Sequence, residues 1–253
     1  MKNKINPGII LMIVLICRPC WAGISKQESI SKFVMGNQAY KEGNYEKAIE
    51  DYQSIIQGQI ESGQVYYNLG NAYFKSGKLG YAVLNYQRAK RLIPRDSDLI
   101  FNLDYAQSLI RKTNSEEKGN FLDVLIQGHI NFYTVDEMVL IMTVLTALVS
   151  FFHLLSKFCK WKNFVSKGIR GTLLILVLVN AAGLYFKISI QSNLAIMVRP
   201  AKANFEPNKT AVSHFELSEG VPIKVVQEKD GWIKIRRADG RFGWVEKTSL
   251  EKI

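Results

Sequence analysis

Apolar residues change their spacing several times along this chain, and each spacing predicts a different kind of element. A short apolar stretch, Gly8 to Cys17, comes first and is preceded by Lys2 and Lys4. The segment up to about residue 112 follows a helical period, as at Leu99, Leu103, Ala106 and Ile110. Two long apolar runs come next, Met138 to Phe158 and Gly171 to Ile190, each close to the ~20 residues with which a helix crosses a bilayer core. After Asn193 the period drops to two: Ile223 and Val225, then Ile233 and Ile235, alternate with Lys224, Trp232, Lys234 and Arg236. Asp230-Gly231 and Asp239-Gly240 supply tight turns there, the second flanked closely enough to read as a hairpin. The pattern predicts a multidomain membrane protein with an all-α module, two transmembrane helices and a small all-β barrel.

Charge adds an orientation to this picture. The formal net charge is +11, and nearly half of it lies in Lys157, Lys160, Lys162, Lys167 and Arg170, between the two apolar runs and with no acid among them. Loops rich in Lys and Arg stay cytoplasmic, so the flanking regions are both expected outside. Asp136 and Glu137, just before the first run, agree with that direction. The remaining positive charge is spread along the chain and forms no single basic stripe, which argues against nucleic acid as a partner.

The amino-terminal stretch ends in Arg18-Pro19, Cys20, Trp21 and Ala22. It is too short to span and has the form of a secretory signal cut after Ala22, although the topology is the same if it is not cut. Removing it leaves Cys159 as the one cysteine, so no intramolecular disulfide is expected.

The helical segment repeats at a period of 34 residues. Tyr66, Leu69, Gly70, Tyr73, Ala82, Tyr86, Ala89 and Pro94 form one copy; Gly36, Ala39, Ala48 and Tyr52 form an earlier, weaker one, with Lys32 at its first aromatic position and Ile60 at its proline. The spacing resembles tetratricopeptide repeats. That resemblance implies two pairs of antiparallel helices, turns at Gly43-Asn44 and Gly77-Lys78, and a capping helix from Asp98 to Ile110. It further implies a peptide groove, onto which Asn37, Tyr40, Lys41, Gln64, Tyr67, Asn71, Phe74 and Lys75 map. The plainer reading of the aromatics among them is packing. Asn37 and Asn68 occupy carboxylate-clamp positions, but Phe33, Asp98 and Asn102 replace the clamp's cations, so a chaperone-tail receptor is not expected.

No constellation for nucleophilic, metal or acid-base catalysis is present, and no cofactor or metal is expected. His129, His153 and His214 are scattered, and Lys75 to Leu79 lacks the glycine spacing of a phosphate-binding loop. Residues 121 to 133 mix apolar and polar side chains and read either as an interfacial helix or as an ordinary approach to the first span. Asn180, near the middle of the second run, is expected to bond to another helix, either the sibling span or one from another protein.

The last segment, through Leu217, Glu219-Gly220, Asp230-Gly231-Trp232, Asp239-Gly240 and Gly243-Trp244-Val245, resembles bacterial SH3 domains. Members of that family bind cell-wall peptides or protein segments, or support a neighbouring domain. On that resemblance Trp232 and Trp244 are the candidate binding aromatics, with Lys234, Arg236 and Arg241 lending charge.

The expected order is therefore a signal over 1–22, repeats over 23–112, a linker over 113–135, a first span over 136–158, a basic loop over 159–170, a second span over 171–190 and an SH3-like domain over 193–253. This order resembles the BatE-type proteins of the Bacteroides aerotolerance system. The resemblance implies a bacterial inner-membrane scaffold with both soluble domains in the periplasm, working with membrane-bound von Willebrand A domain proteins and a MoxR-type ATPase in envelope assembly or stress tolerance. The alternative is a module that binds or senses peptidoglycan.

Overall fold

The computed structural model describes residues 25–111, 128, 131–158 and 163–253. The expected signal segment, most of the linker and the first part of the basic loop lie outside them. Helices α1 (Lys26–Lys41) and α2 (Tyr45–Gln57) form one antiparallel pair, α3 (Gly63–Lys75) and α4 (Leu79–Leu92) a second, and α5 (Ser97–Arg111) packs on α4. Local chemistry sets these boundaries. Gly43 and Gly77, both at φ +77°, end α1 and α3 in the left-handed conformation that glycine adopts without steric cost. Asn44 Oδ1 then accepts from Lys47 N at 3.2 Å to start α2, and Asp96 Oδ1 accepts from Leu99 N at 2.9 Å to start α5.

The pairs close tightly because glycine stands under a tyrosine in each. A Cβ on Gly36 would lie 2.7 Å from the Tyr52 ring, and one on Gly70 would lie 2.6 Å from the Tyr86 ring. Lys32, at the first aromatic position of the weaker copy, donates at 3.1 Å to Asp51, whose side chain is 1% exposed. The second copy has Tyr66 and Asn85 at the same two places. An ion pair in one copy thus replaces an aromatic and an amide in the other.

Seven strands follow among the described residues: β1 (Leu194–Met197), β2 (Ala201–Asn204), β3 (Ser213–Leu217), β4 (Pro222–Lys229), β5 (Trp232–Arg236), β6 (Phe242–Glu246) and β7 (Leu250–Lys252). They form one antiparallel sheet in the order β3-β2-β6-β5-β4-β1-β7. Asp230 and Gly231, at φ +49° and +80°, join β4 to β5 in a two-residue loop of the primed type that suits strand twist. Ile223, Ile233, Ile235 and Val245 point into the sheet domain's core.

The sheet domain is not a separate arm. It packs on α4 and α5, and its core is continuous with that of the helices. At Gly80 the approach is backbone to backbone: a Cβ there would lie 2.8 Å from the Met197 carbonyl oxygen. Glu219 Oε2 accepts from Gly80 N at 3.1 Å, giving the first turn of α4 the acceptor that its own N-cap, Lys78, does not provide. Gly220, at φ +78°, makes room for Ile110 of α5. Arg88 donates to the Lys252 carbonyl oxygen at 2.8 Å and Arg91 to the Ile253 oxygen at 2.6 Å.

Between the helical module and the sheet, α6 (Val135–Phe158) and α7 (Asn163–Ser192) pack against each other. They contain stretches of 23 residues each, Val135–Lys157 and Lys167–Ser189, long and apolar enough to cross a membrane. Thr134 and Glu137 cap α6 reciprocally, and Glu137 also receives Arg95 through two bonds at 2.6 and 3.2 Å. Lys187, near the C-terminal end of α7, donates to the Tyr133 carbonyl oxygen. The helical module and the sheet domain therefore join the hairpin at the same end. The helix α7 begins inside the expected basic loop, because Lys and Arg are good helix formers.

Candidate ligand-binding surfaces

The repeat period reappears in side-chain hydrogen bonds. Asn37 Oδ1 accepts from Tyr52 Oη at 2.7 Å and from Asn68 Nδ2 at 2.9 Å. One period later Asn71 Oδ1 accepts from Tyr86 Oη at 2.7 Å and from Asn102 Nδ2 at 3.0 Å, and Asn102 also reaches the Tyr67 hydroxyl at 3.0 Å. The ladder ties α1 to α3 and α3 to α5. Burial pushes the Tyr52 phenol up to about 12 and the Tyr86 phenol up as well, so both stay neutral donors near neutral pH.

Around the first rung lies a pocket of about 220 Å³ lined by Asn37, Tyr40, Lys41, Tyr52, Asn68 and Asn71. It brings together four of the eight groove residues expected from sequence. Of the other four, Tyr67 is half-buried with its ring 6.1 Å from that of Tyr86, and Phe74 is half-buried against Tyr105 at 5.8 Å. Gln64 and Lys75 are exposed and lie outside the pocket lining. Tyr52, Phe101 and Tyr105 were not in the expected set, and Asn68 and Asn102 entered only as clamp positions. Phe101 and Tyr105 are 70% and 52% exposed, and they stand one period after Tyr67 and Asn71. The row of groove positions thus continues onto α5, a signal that the 34-residue spacing already carried.

A wider cleft of about 650 Å³ lies where the helical module, the last residues and the start of α6 meet. Its walls mix Arg88, Arg91 and Lys252 with Glu61 and Asp136. Arg88 and Arg91 are already engaged there by main-chain oxygens.

On the sheet domain, β5 and β6 place four of the five expected residues on one face. Trp232 pairs with Glu246, Lys234 with Trp244, and Arg236 with Phe242. The Lys234 ammonium lies 5.8 Å from the Phe242 ring centre and 5.9 Å from that of Trp244, within cation–π range. Trp244 is only 9% exposed, while Trp232 is half-buried and Phe242 is open. Arg241 is held elsewhere. It donates to Asp239 at 2.6 and 2.8 Å and covers the Phe215 ring, which Arg237 also approaches. Hydrogen bonds from Arg241 hold the Asp239 carboxyl below the usual carboxylate range.

Asn180 Oδ1 is buried and has no hydrogen-bond partner among the described residues. No three His, Cys, Asp or Glu side chains come together at metal-binding distance among the described residues.

In a comparison with known families, residues 206–252 match the bacterial SH3 domain family. The match covers β3 to β7 and leaves out β1 and β2, although β1 pairs with both β4 and β7. A comparison with curated proteins finds none that matches.

Proposed function

We propose that this protein is a membrane-anchored scaffold that gathers protein partners on the groove of its helical module, beside its bacterial SH3 domain. A bacterial SH3 domain points to protein or peptidoglycan binding. The observation that carries the scaffold reading is the asparagine–tyrosine ladder, which repeats with the sequence period and stiffens the surface holding the expected groove residues. It supports two tetratricopeptide repeats with α5 as a terminal helix in the same phase. A preformed surface of amides, phenols and exposed aromatics suits a peptide segment, because little ordering is needed when the ligand arrives. No catalysis is ascribed to either surface.

The apolar hairpin anchors this platform in the bacterial inner membrane. Its two apolar faces lack protein cover, with Leu140 and Leu178 63% and 67% exposed. Lys157, Lys167 and Arg170 sit at the end away from both soluble parts, which supports a cytoplasmic turn and a periplasmic platform. In the reading that takes the whole order of segments together, the partners are von Willebrand A domain proteins and a MoxR-type ATPase of the aerotolerance system.

The test is in vivo crosslinking of the tagged chain, followed by mass spectrometry of proteins and wall fragments, with a Lys41→Glu, Lys75→Glu variant alongside. Both lysines are exposed and outside the ladder, so the variant keeps the fold and changes only the surface. Protein partners lost in the variant are the expected result. Wall fragments recovered equally from both, with no protein partner, would instead favour the second reading, peptidoglycan binding on Trp232, Lys234 and Arg236. The observation behind that second reading is the open aromatic and cationic face of β5 and β6.

A further inference from the structure

Building on the membrane reading above, we propose that the charged end of the hairpin holds the headgroup of an anionic phospholipid. A cavity of about 680 Å³ opens there between α6 and α7. Its polar side is built from both helices, with Ser150 and His153 from α6 and Lys167 and Arg170 from α7. No acid lines it.

Arg170 Nη1 lies 2.9 Å from His153 Nδ1. A guanidinium only donates, so Nδ1 is the acceptor in that contact. Ser150 spends its own proton on the Thr146 carbonyl oxygen at 3.0 Å. Lys167 and Arg170 bring two positive charges to the lining with no acid beside them, an arrangement that suits a group with several anionic oxygens.

The other side of the cavity selects among anions. Val149, Leu154 and Leu174 form it, and a free ion gains nothing from apolar walls. A phosphodiester attached to acyl chains satisfies both sides at once. The depth agrees, because the apolar stretches end at Lys157 and begin at Lys167, which puts the cavity at the level where a leaflet carries its phosphates. Basic pockets between helices on the cytoplasmic side are suited to anionic headgroups for this reason. Gly171 borders the cavity, and a Cβ added there would meet nothing within 4 Å. The space beside it is open, so a large side chain can fill it without straining the helices.

The experiment uses the full chain purified in detergent and native mass spectrometry to read bound lipid. Dioleoylphosphatidylglycerol, dioleoylphosphatidylcholine and inorganic phosphate are added separately and in competition. Phosphatidylglycerol is expected to be retained about tenfold more strongly than phosphatidylcholine, the scale of one good charge-assisted contact. Two variants should abolish that preference: His153→Ala with Arg170→Gln, which removes donors, and Gly171→Phe, which keeps every charge and fills the space. Equal retention of the two lipids overturns the proposal, and so does an unchanged preference in Gly171→Phe. Displacement of the lipid by inorganic phosphate overturns it too, because the ligand would then be the free ion. Alkaline carbonate extraction of cell membranes separates the underlying reading from the site. Release of the chain sinks the membrane reading itself, whereas a retained chain with no lipid preference sinks only the site.

Discussion

The two helix pairs have the same glycine under the same tyrosine and the same asparagine rung, yet they meet different neighbours. The first pair ends in solvent, with Ile30, Val34 and Met35 of α1 about half exposed or more. The second pair lies between α5 and the sheet domain, and Val83, Leu84 and Ala82 are fully buried. The difference explains why the second copy is close to the full repeat pattern and the first is not. A helix pair enclosed by neighbours must satisfy every packing position, while an end pair can hold Lys32 and Asp51 where the inner one has Tyr66 and Asn85. Repeat regularity therefore reports the number of interfaces that a pair serves.

The largest expected effect is at the junction that only the second pair has. Gly80→Val would drive a side chain into the main chain at Met197 and Val198, and should cost about 3–5 kcal/mol and split one thermal transition into two. A single transition with an unchanged midpoint in calorimetry would show that the two parts do not stabilise each other. Next come the tyrosine contacts. Gly36→Ala and Gly70→Ala should each cost about 1–3 kcal/mol, Gly70→Ala more because its Cβ also meets the Ala82 carbonyl oxygen. Urea titration of the two variants side by side reads the order, and a reversed order would contradict the tighter packing of the inner pair.

A smaller effect separates the two polar solutions. Lys32→Ala should cost about 1–2 kcal/mol, because Asp51 keeps Lys47 at 3.5 Å. The double change Lys32→Tyr with Asp51→Asn copies the inner pair and should stay within about 1 kcal/mol of the parent. A double variant as unstable as the single one would show that the two sites are not interchangeable.

The smallest difference is in alkali, where both pairs behave alike. Burial raises the Tyr52 and Tyr73 phenols from 10.0 to about 12, so the folded state binds their protons more tightly than the unfolded chain. That contribution is complete below pH 10 and lost as pH rises through about 12. Tyrosinate absorbance should therefore appear together with loss of helical dichroism. Ionisation near pH 10 with the helices intact would place these hydroxyls in water.

Much of this was legible from spacing. The 34-residue recurrence located both helix pairs and α5, and the alternation after Asn193 located β4, β5 and β6. The same recurrence links Asn68 to Asn102 and Tyr52 to Tyr86, so the ladder was present in the sequence as a periodicity before it was visible as bonding. The junction was not. Glu219 and Gly80 are far apart in the chain, both have local explanations as turn or helix residues, and no period relates them. Arg241 was misleading for a related reason, since a cation in a turn looks free until its partner Asp239 and the Phe215 ring are seen beside it. The first turns of α7 were hidden because a basic segment is read for its charge and not for its helix propensity.

The cap that Glu219 places on α4 also sets an order of events in synthesis. The helices that carry Gly80 and Ile110 leave the ribosome long before the strands that cover them, and two apolar helices must be made in between. Until those strands arrive, α4 and α5 show an open apolar face and an unfinished first turn. Completion of the oldest part of the molecule therefore waits for its youngest part, and a chain stalled within the hairpin would expose that face to quality control.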